Sequence, residues 1–130
     1  MTTQLGDWIK EQLPETRMHI LRHQMRYFAD ARLEQRLFDW LTDFGFLEAK
    51  LEAVGITVLI NDYDHALPLL SGDKHHTLKT IQDALRLSAH VLAEDRHQLA
   101  GQLLGRLLFP HEQKIRVLLQ QAQQAQKAKA

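Results

Sequence analysis

The sequence contains no cysteine, and this absence excludes disulfides, thiolate nucleophiles and thiolate metal sites together. Net charge is absent as well, because sixteen Lys and Arg residues balance sixteen Asp and Glu residues. That balance argues against strongly electrostatic partners such as bulk nucleic acid or an anionic membrane. No apolar run approaches the ~20 residues needed to cross a bilayer, and the N-terminus shows no signal peptide. We therefore expect a cytoplasmic protein with no membrane partner.

The residues that are present are sufficient for one folded core. The chain has 130 residues, of which 45% are hydrophobic, as in an ordinary single domain. The apolar spacing is helical almost throughout, and no segment alternates with period two. Because the connections are short, we predict an all-α fold of seven to eight helices, packed as antiparallel αα-hairpins in an irregular helical array. We expect the domain to span residues 1–119, followed by a Gln/Ala/Lys-rich helical or disordered tail over residues 120–130.

Several residues mark the expected boundaries of the first five helices. Asp30 is predicted to cap the third helix and Thr57 to cap the fifth, since both side chains can accept from free backbone N–H groups. Gly55 is predicted to end the fourth helix, at a position that needs a positive φ. Trp40 is expected in the core, beside the face of the fourth helix that carries Leu47.

The second half of the chain is predicted to open with a loop over residues 68–76. A long central helix is expected to follow over residues 78–92, because its apolar residues extend beyond a single stripe. Asp95 with Gln98 three residues later resembles a capping box at the start of the next helix. The loop over residues 68–76 and the Gln-rich tail are the candidate hinges.

Histidines are the first candidates for a chemical site. His19 and His23 are spaced i, i+4 on one helix, as two ligands of a shared metal can be. A zinc protease motif needs a Glu directly after the first His, and Ile20 stands there instead. Two histidines hydrogen-bonded between helices are therefore favoured over a metal site. His90, near Ser88, is expected to be a semi-buried histidine and not a catalytic base.

No motif predicts catalysis. Residues 71–74 read SGDK and precede a helix, but they fail the spacing of a phosphate-binding loop. Nothing resembles the strand–turn–helix nucleophile motif of hydrolases. We therefore expect that the chain is not an enzyme and needs no cofactor and no metal.

A basic helix leaves one alternative open. The second helix carries basic or titratable side chains over residues 17–26, namely Arg17, His19, Arg22, His23 and Arg26. A basic helix in a small α-domain is typical of a major-groove reader. Helix surfaces are commonly charged, however, and the whole chain is neutral, so nucleic acid is the less favoured partner. A small DNA-binding protein is kept as the alternative function.

Residues 44–55, FGFLEAKLEAVG, follow the order aromatic-Leu-x-Ala-Lys-x-x-x-x-Gly. This stretch resembles a short helix of the helical domain that follows the nucleotide-binding module in the apoptotic protease-activating factor and in related bacterial signalling NTPases. Residues 59–63, 85–92 and 98–107 resemble later segments of that domain, so the resemblance covers about residues 8–108. The positions it marks as structural parts of the family motifs are His19, His23, Trp40, Phe46, Lys50, Gly55, Tyr63, Arg86, His90 and Gln98.

The resemblance implies a non-catalytic scaffold or linker between a nucleotide switch and a WD-repeat sensor. Its partners would be other domains of the same polypeptide or separate proteins, and a homodimer stays open. Two departures from the family pattern are visible. Gly45 stands where an acidic N-cap is expected, although Asp43 could cap the helix instead. Ala31 replaces an expected helix-ending glycine.

Overall fold

The computed structural model describes residues 3–129, and residues 1, 2 and 130 lie outside the described range. The described chain contains α-helices and two short 3₁₀ turns but no strand, which confirms the all-α prediction. The 3₁₀ turns are Leu67–Leu69 and Arg96–Gln98. The helices are α1 (Gln4–Glu11), α2 (Pro14–Asp30), α3 (Glu34–Leu41), α4 (Phe44–Val54), α5 (Ile56–Ala66), α6 (Gly72–Leu87), α7 (Ala89–Glu94), α8 (Leu99–Arg106) and α9 (Gln113–Lys129).

One predicted helix is divided, which brings the described helices to nine instead of seven or eight. The long helix expected over residues 78–92 is interrupted at Ser88, between α6 and α7. The Ser88 N–H is shared between the carbonyls of Ala84 and Leu85, each 3.1 Å away. Its hydroxyl oxygen accepts a hydrogen bond from Arg106 Nε at 2.6 Å. A contact from α8 thus holds the break in place.

The crossing of α1 and α4 is close because glycines meet there. A Cβ on Gly45 would lie 2.8 Å from the Cα of Gly6 and 2.2 Å from Thr3 Oγ1, so only glycine fits. Thr3 caps α1 by accepting from the Gly6 N–H at 2.9 Å. Asp43 Oδ2 caps α4 by accepting from the Phe46 N–H at 2.9 Å, and it also accepts from the Thr3 hydroxyl at 2.7 Å. The departure at Gly45 is therefore a packing requirement, and Asp43 is the N-cap.

Helix boundaries around α3 and α5 differ from two predictions. Asp30 is the last residue of α2 and not the cap of α3, which begins only at Glu34. The intervening turn contains Arg32 at φ 54°, the left-handed conformation that a glycine would adopt without strain. Thr57 lies inside the first turn of α5, because that helix begins at Ile56. Gly55, at φ 89°, ends α4 as predicted.

The predicted loop over residues 68–76 is largely helical. A 3₁₀ turn follows α5 directly, and α6 begins at Gly72, so the polar half of the stretch forms the first turn of α6. His75 Nδ1 contacts the carbonyl oxygens of Leu67 at 3.0 Å and Leu70 at 3.2 Å, which ties this turn to the 3₁₀ segment. The loop prediction is wrong because polarity alone does not distinguish a loop from a solvated helix start.

The predicted capping box is formed only in part. Asp95 Oδ1 accepts from the His97 N–H at 3.0 Å, which starts a 3₁₀ turn instead of α8. The Asp95 N–H is already bonded to the Val91 carbonyl at 2.8 Å, so Gln98 cannot cap it. Gln98 Nε2 instead donates to Asp95 Oδ2 at 3.3 Å.

The C-terminal residues continue α9 to Lys129, and the expected domain boundary after residue 119 falls inside this helix. Ala122 and Ala125 are buried, and Lys129 Nζ lies 2.9 Å from Glu48 Oε2 on α4. The Phe44 N–H donates to a side-chain oxygen of α9 at 2.9 Å. Within the described range, no helix is long and apolar enough to span a membrane.

Candidate functional site

The described part of the chain holds one fully buried ammonium group, and three helices converge on it. Lys50 of α4 is completely buried. Its Nζ lies 2.9 Å from Asp62 Oδ2 on α5, and it donates a hydrogen bond to the backbone carbonyl of Leu21 in α2. The ammonium therefore connects α2, α4 and α5 in the interior of the domain.

The environment of this pair is strongly desolvated. Burial raises the pKa of Asp62, and the Lys50 charge offsets part of that rise. The 2.9 Å contact of Asp62 Oδ2 with Lys50 Nζ is an ion pair in the interior of the domain. Each charge depends on the other, because an isolated ion in such a place costs several kcal/mol.

The residue after Asp62 extends the same arrangement to α3. Tyr63 is fully buried, and its hydroxyl donates to the Leu41 carbonyl at 2.7 Å, at the end of α3. Burial raises the pKa of Tyr63 well above its usual range. We call Lys50, Asp62 and Tyr63, with the two carbonyls they contact, the buried polar centre. Its side chains are buried, and its contacts link α2, α3, α4 and α5.

An aromatic cluster lies next to this centre. The centroid of the Trp40 ring lies 5.3 Å from that of Phe46, 5.2 Å from that of Phe28 and 6.3 Å from that of Trp8, and each pair is edge-to-face. Phe46 is fully buried, whereas Trp40 is only partly buried. The expectation of a core tryptophan is thus corrected to one at the edge of the core. Its ring partners come from α1, α2 and α4.

The two predicted inter-helix histidines lie on the surface instead. His19 and His23 are exposed on α2, with ring centroids 4.8 Å apart. Their ring partner is Tyr27 of the same helix, whose hydroxyl lies 3.4 Å from His19 Nε2. The prediction of hydrogen bonds between helices is wrong, because residues at i, i+4 and i+8 share one outward face. Residues 3–129 contain no group of three or more side chains placed to hold a metal.

The remaining motif positions are also exposed. Arg86 NH2 lies 3.3 Å from Asp64 Oδ1, a surface ion pair between α6 and α5. His90 is exposed and not semi-buried as expected, because α7 starts anew after the break at Ser88. The Gln98 side chain donates a hydrogen bond to Asp95, three residues earlier. These three positions contribute to the surface and to turns, whereas Phe46, Lys50 and Tyr63 contribute to the core.

The basic face expected on α2 is narrower than residues 17–26 suggest. His19, Arg22, His23 and Arg26 are exposed and share one side of the helix. Arg17 is half-buried and reaches α1, where it donates to the Lys10 carbonyl at 3.4 Å. The surface available to a phosphate backbone is therefore a patch of two arginines and two histidines.

Sequence reasoning missed Asp62, the partner on which the buried lysine depends. A signal was present, because Lys50 lies three residues after the inward-facing Leu47 and so falls on the buried side of α4. A lysine at such a position needs a carboxylate partner. Asp62 directly precedes Tyr63, which also faces inward, so it was a candidate on α5 for the carboxylate partner of Lys50.

Comparison with known proteins finds one family model that covers most of the chain. The family model described as the APAF-1 helical domain matches residues 6–128. No curated protein and no solved structure matches the chain significantly. The matched range includes every helix that meets at the buried polar centre, and it extends through nearly all of α9. On this match, the chain belongs to the family of APAF-1 helical domains.

Proposed function

We propose that this domain is a non-catalytic helical linker in a signalling NTPase, where it couples a nucleotide switch to a repeat sensor through contacts with neighbouring domains. The family match supports the setting. The observation that carries the mechanical role is the buried polar centre, in which Lys50 binds α2, α4 and α5 to one another. Close-packed helices joined in this way move as one body, because their cores deform little.

The rest of the fold supports transmission along the domain. The α9 helix is tied to α4 by the Gln121 side chain, which accepts from the Phe44 N–H, and by the ion pair of Lys129 with Glu48. Residues 68–76, expected as a hinge, are helical and held by His75. We therefore propose that the domain moves as one unit and that the flexible hinges lie at its two ends, where it would meet neighbouring domains.

The absence of catalysis is part of the same proposal. The buried titratable groups of the polar centre are engaged in holding helices, and the predicted histidines are stacked on a surface. The purified chain should show no ATP hydrolysis above a buffer blank. Hydrolysis that a single substitution in the chain abolishes would contradict the proposal.

The coupling role is tested in the polypeptide that contains the domain. We expect its reading frame to encode a phosphate-binding loop upstream and WD repeats downstream. In that protein, ligand capture at the sensor should change nucleotide affinity, and Lys50→Met should bring this coupling factor close to one. Lys79→Met is the matched control, because Lys79 pairs with Asp83 on the surface and should leave coupling intact. Unchanged coupling when the domain is replaced by a flexible linker would refute the role.

DNA binding through α2 stays the alternative proposal. If the patch with Arg22 and Arg26 binds duplex DNA, affinity should fall steeply with salt, and alanine at both positions should reduce the slope by about one unit per lost phosphate contact. We expect weak, non-specific binding that disappears near physiological salt. A salt-resistant, sequence-specific complex would favour the alternative.

A further inference from the structure

Two exposed histidines on α2 lie side by side, about one helical turn apart. The ring centroids of His19 and His23 are 4.8 Å apart, and the ring planes are tilted by 50°. A metal is disfavoured at such a pair when each imidazole is hydrogen-bonded to another helix. Within residues 3–129, neither ring makes such a bond, so both imidazoles are accessible to a ligand from solvent.

The distance between the two rings fits two ligands of one metal ion. An imidazole nitrogen ligates zinc at about 2.0–2.1 Å, which puts the ring centroid about 3.2 Å from the ion. Two ligands at about 90–109°, the angles of square-planar and tetrahedral sites, therefore have ring centroids about 4.5–5.2 Å apart. The observed 4.8 Å lies within this range.

Tyr27 orders the two imidazoles without binding either of them strongly. Its ring stacks on His23 with centroids 6.1 Å apart, and its hydroxyl lies 3.4 Å from His19 Nε2. That distance is longer than an ordinary hydrogen bond, so a metal ion can displace the contact. Because the three rings are already grouped on one face, less side-chain freedom is lost when an ion binds.

The charges nearby restrict the kind of ion. Arg22 and Arg26 are exposed on the same side of α2, and Glu15 lies four residues before His19. Two arginines against one carboxylate repel a cation held mainly by charge, such as Mg²⁺ or Ca²⁺, and these ions also prefer oxygen ligands. Imidazole instead suits copper, nickel and zinc ions, whose bonds to nitrogen outweigh the weak repulsion at an exposed site.

We propose that His19 and His23 form a two-histidine binding site for a divalent transition-metal ion, whose remaining coordination positions are open to solvent. The described residues do not bring a third ligand into place. Affinity should be highest for Cu²⁺ and lower for Ni²⁺ and Zn²⁺, the usual order for nitrogen ligands. The site lies on the outer surface of α2, so it depends neither on the buried polar centre nor on the proposed linker function.

The experiment titrates the full chain with CuCl₂. Because the chain has eight histidines, the readout must locate the ion. Cu²⁺ is paramagnetic and broadens the NMR signals of nearby backbone amides, and we expect broadening to begin at residues 19–23. Calorimetry measures the affinity, which His19→Gln should lower at least about tenfold, because chelation by the second imidazole is lost.

A matched control exchanges two neighbouring residues of α2. His23→Gln with Gln24→His keeps the composition and the number of histidines but moves one imidazole to another side of the helix. The affinity should fall as it does for His19→Gln. Equal affinity for the original chain and either variant would mean adventitious binding only and would overturn the site. Broadening that begins at His75 and His76 instead would overturn it as well.

The arginines give a test in the opposite direction. Arg22→Gln with Arg26→Gln removes the repulsion of the cation and keeps both imidazoles, so the affinity for Cu²⁺ should rise. A lower affinity in this variant would contradict direct binding of the ion by the two histidines.

Discussion

The first five helices and the last two are held together in different ways. The helices α1–α5 enclose buried polar side chains, among them Lys50, Asp62 and Thr42, and each contacts a named group of another residue. Over the described residues after Ser88, no polar or charged side chain is buried. The helices α8 and α9 pack on one another through leucine, isoleucine and alanine, and their polar contacts lie nearer the surface.

The comparison shows what a directional contact adds to apolar packing. An apolar interface accepts small shifts, whereas a buried ion pair is satisfied in one arrangement and costly in others. The arrangement of α2, α4 and α5 is therefore specified by Lys50. The packing of α8 and α9 depends on the volumes of their apolar side chains and on surface contacts such as the ion pair of Lys129 with Glu48. The connection between α8 and α9 also exposes two large apolar side chains, Leu108 and Phe109.

The largest effect is expected from removing the buried ammonium. Lys50→Met leaves Asp62 buried without a partner, so the free energy of unfolding should fall by about 3–5 kcal/mol. Lys50→Met with Asp62→Leu should recover most of that loss, because neither charge is then buried. Lys79→Met, in an exposed pair, should cost less than about 1 kcal/mol. Urea denaturation measures all three. Equal losses for Lys50→Met and Lys79→Met would show that the buried ion pair holds α1–α5 together no more strongly than a surface pair does.

A glycine in each region gives the second test. Gly45→Ala puts a Cβ 2.8 Å from the Gly6 Cα, so α1 must move and stability should fall by about 2–3 kcal/mol. Gly105→Ala in α8 meets nothing within 4 Å, and the helix should gain up to about 1 kcal/mol. Thermal melts of the two variants should shift in opposite directions. A stabilising Gly45→Ala would show that α1 is not packed closely on α4.

Trp40 tests the edge of the first region. Because the ring is only partly buried, Trp40→Ala should cost about 2–3 kcal/mol, at or below the low end of the range for a fully buried tryptophan. Trp8→Ala should cost less, since Trp8 is half exposed and contacts the same cluster from outside. Chemical denaturation of both variants gives the comparison. A larger loss for Trp8 would place the centre of the aromatic cluster on α1.

The smallest effect concerns the pH dependence of the Asp43 cap. Burial raises the pKa of Asp43, and its hydrogen bonds offset part of that rise. Between the unfolded and folded pKa the folded state binds more protons, so this group's contribution to stability falls as pH rises. Asp43→Asn keeps a capping oxygen but does not titrate. The free energy of unfolding of this variant, minus that of the original chain, should therefore be larger at pH 7 than at pH 3. The opposite trend would mean that the charge stabilises the cap.

Part of the fold could be predicted because its causes are local. Helical periodicity indicated the all-α class, and Gly55 could be identified because a helix end at positive φ favours glycine. The break at Ser88 could not, since its hydroxyl is held by Arg106, eighteen residues later. The ion pair of Lys50 with Asp62 could not be predicted either, because the two residues lie on different helices.

By itself, the sequence determined the helical class, the Asp43 and Gly55 helix ends and the resemblance to a family of helical domains. Those features depend on interactions within about one helical turn, or on the order of residues. Only the tertiary structure decided that Lys50 is buried, that His19 and His23 are exposed, and that Phe109 is exposed between α8 and α9. Burial and pairing depend on which helices meet in space. The contact of Phe44 with Gln121, seventy-seven residues apart, shows how distant in sequence those partners can be.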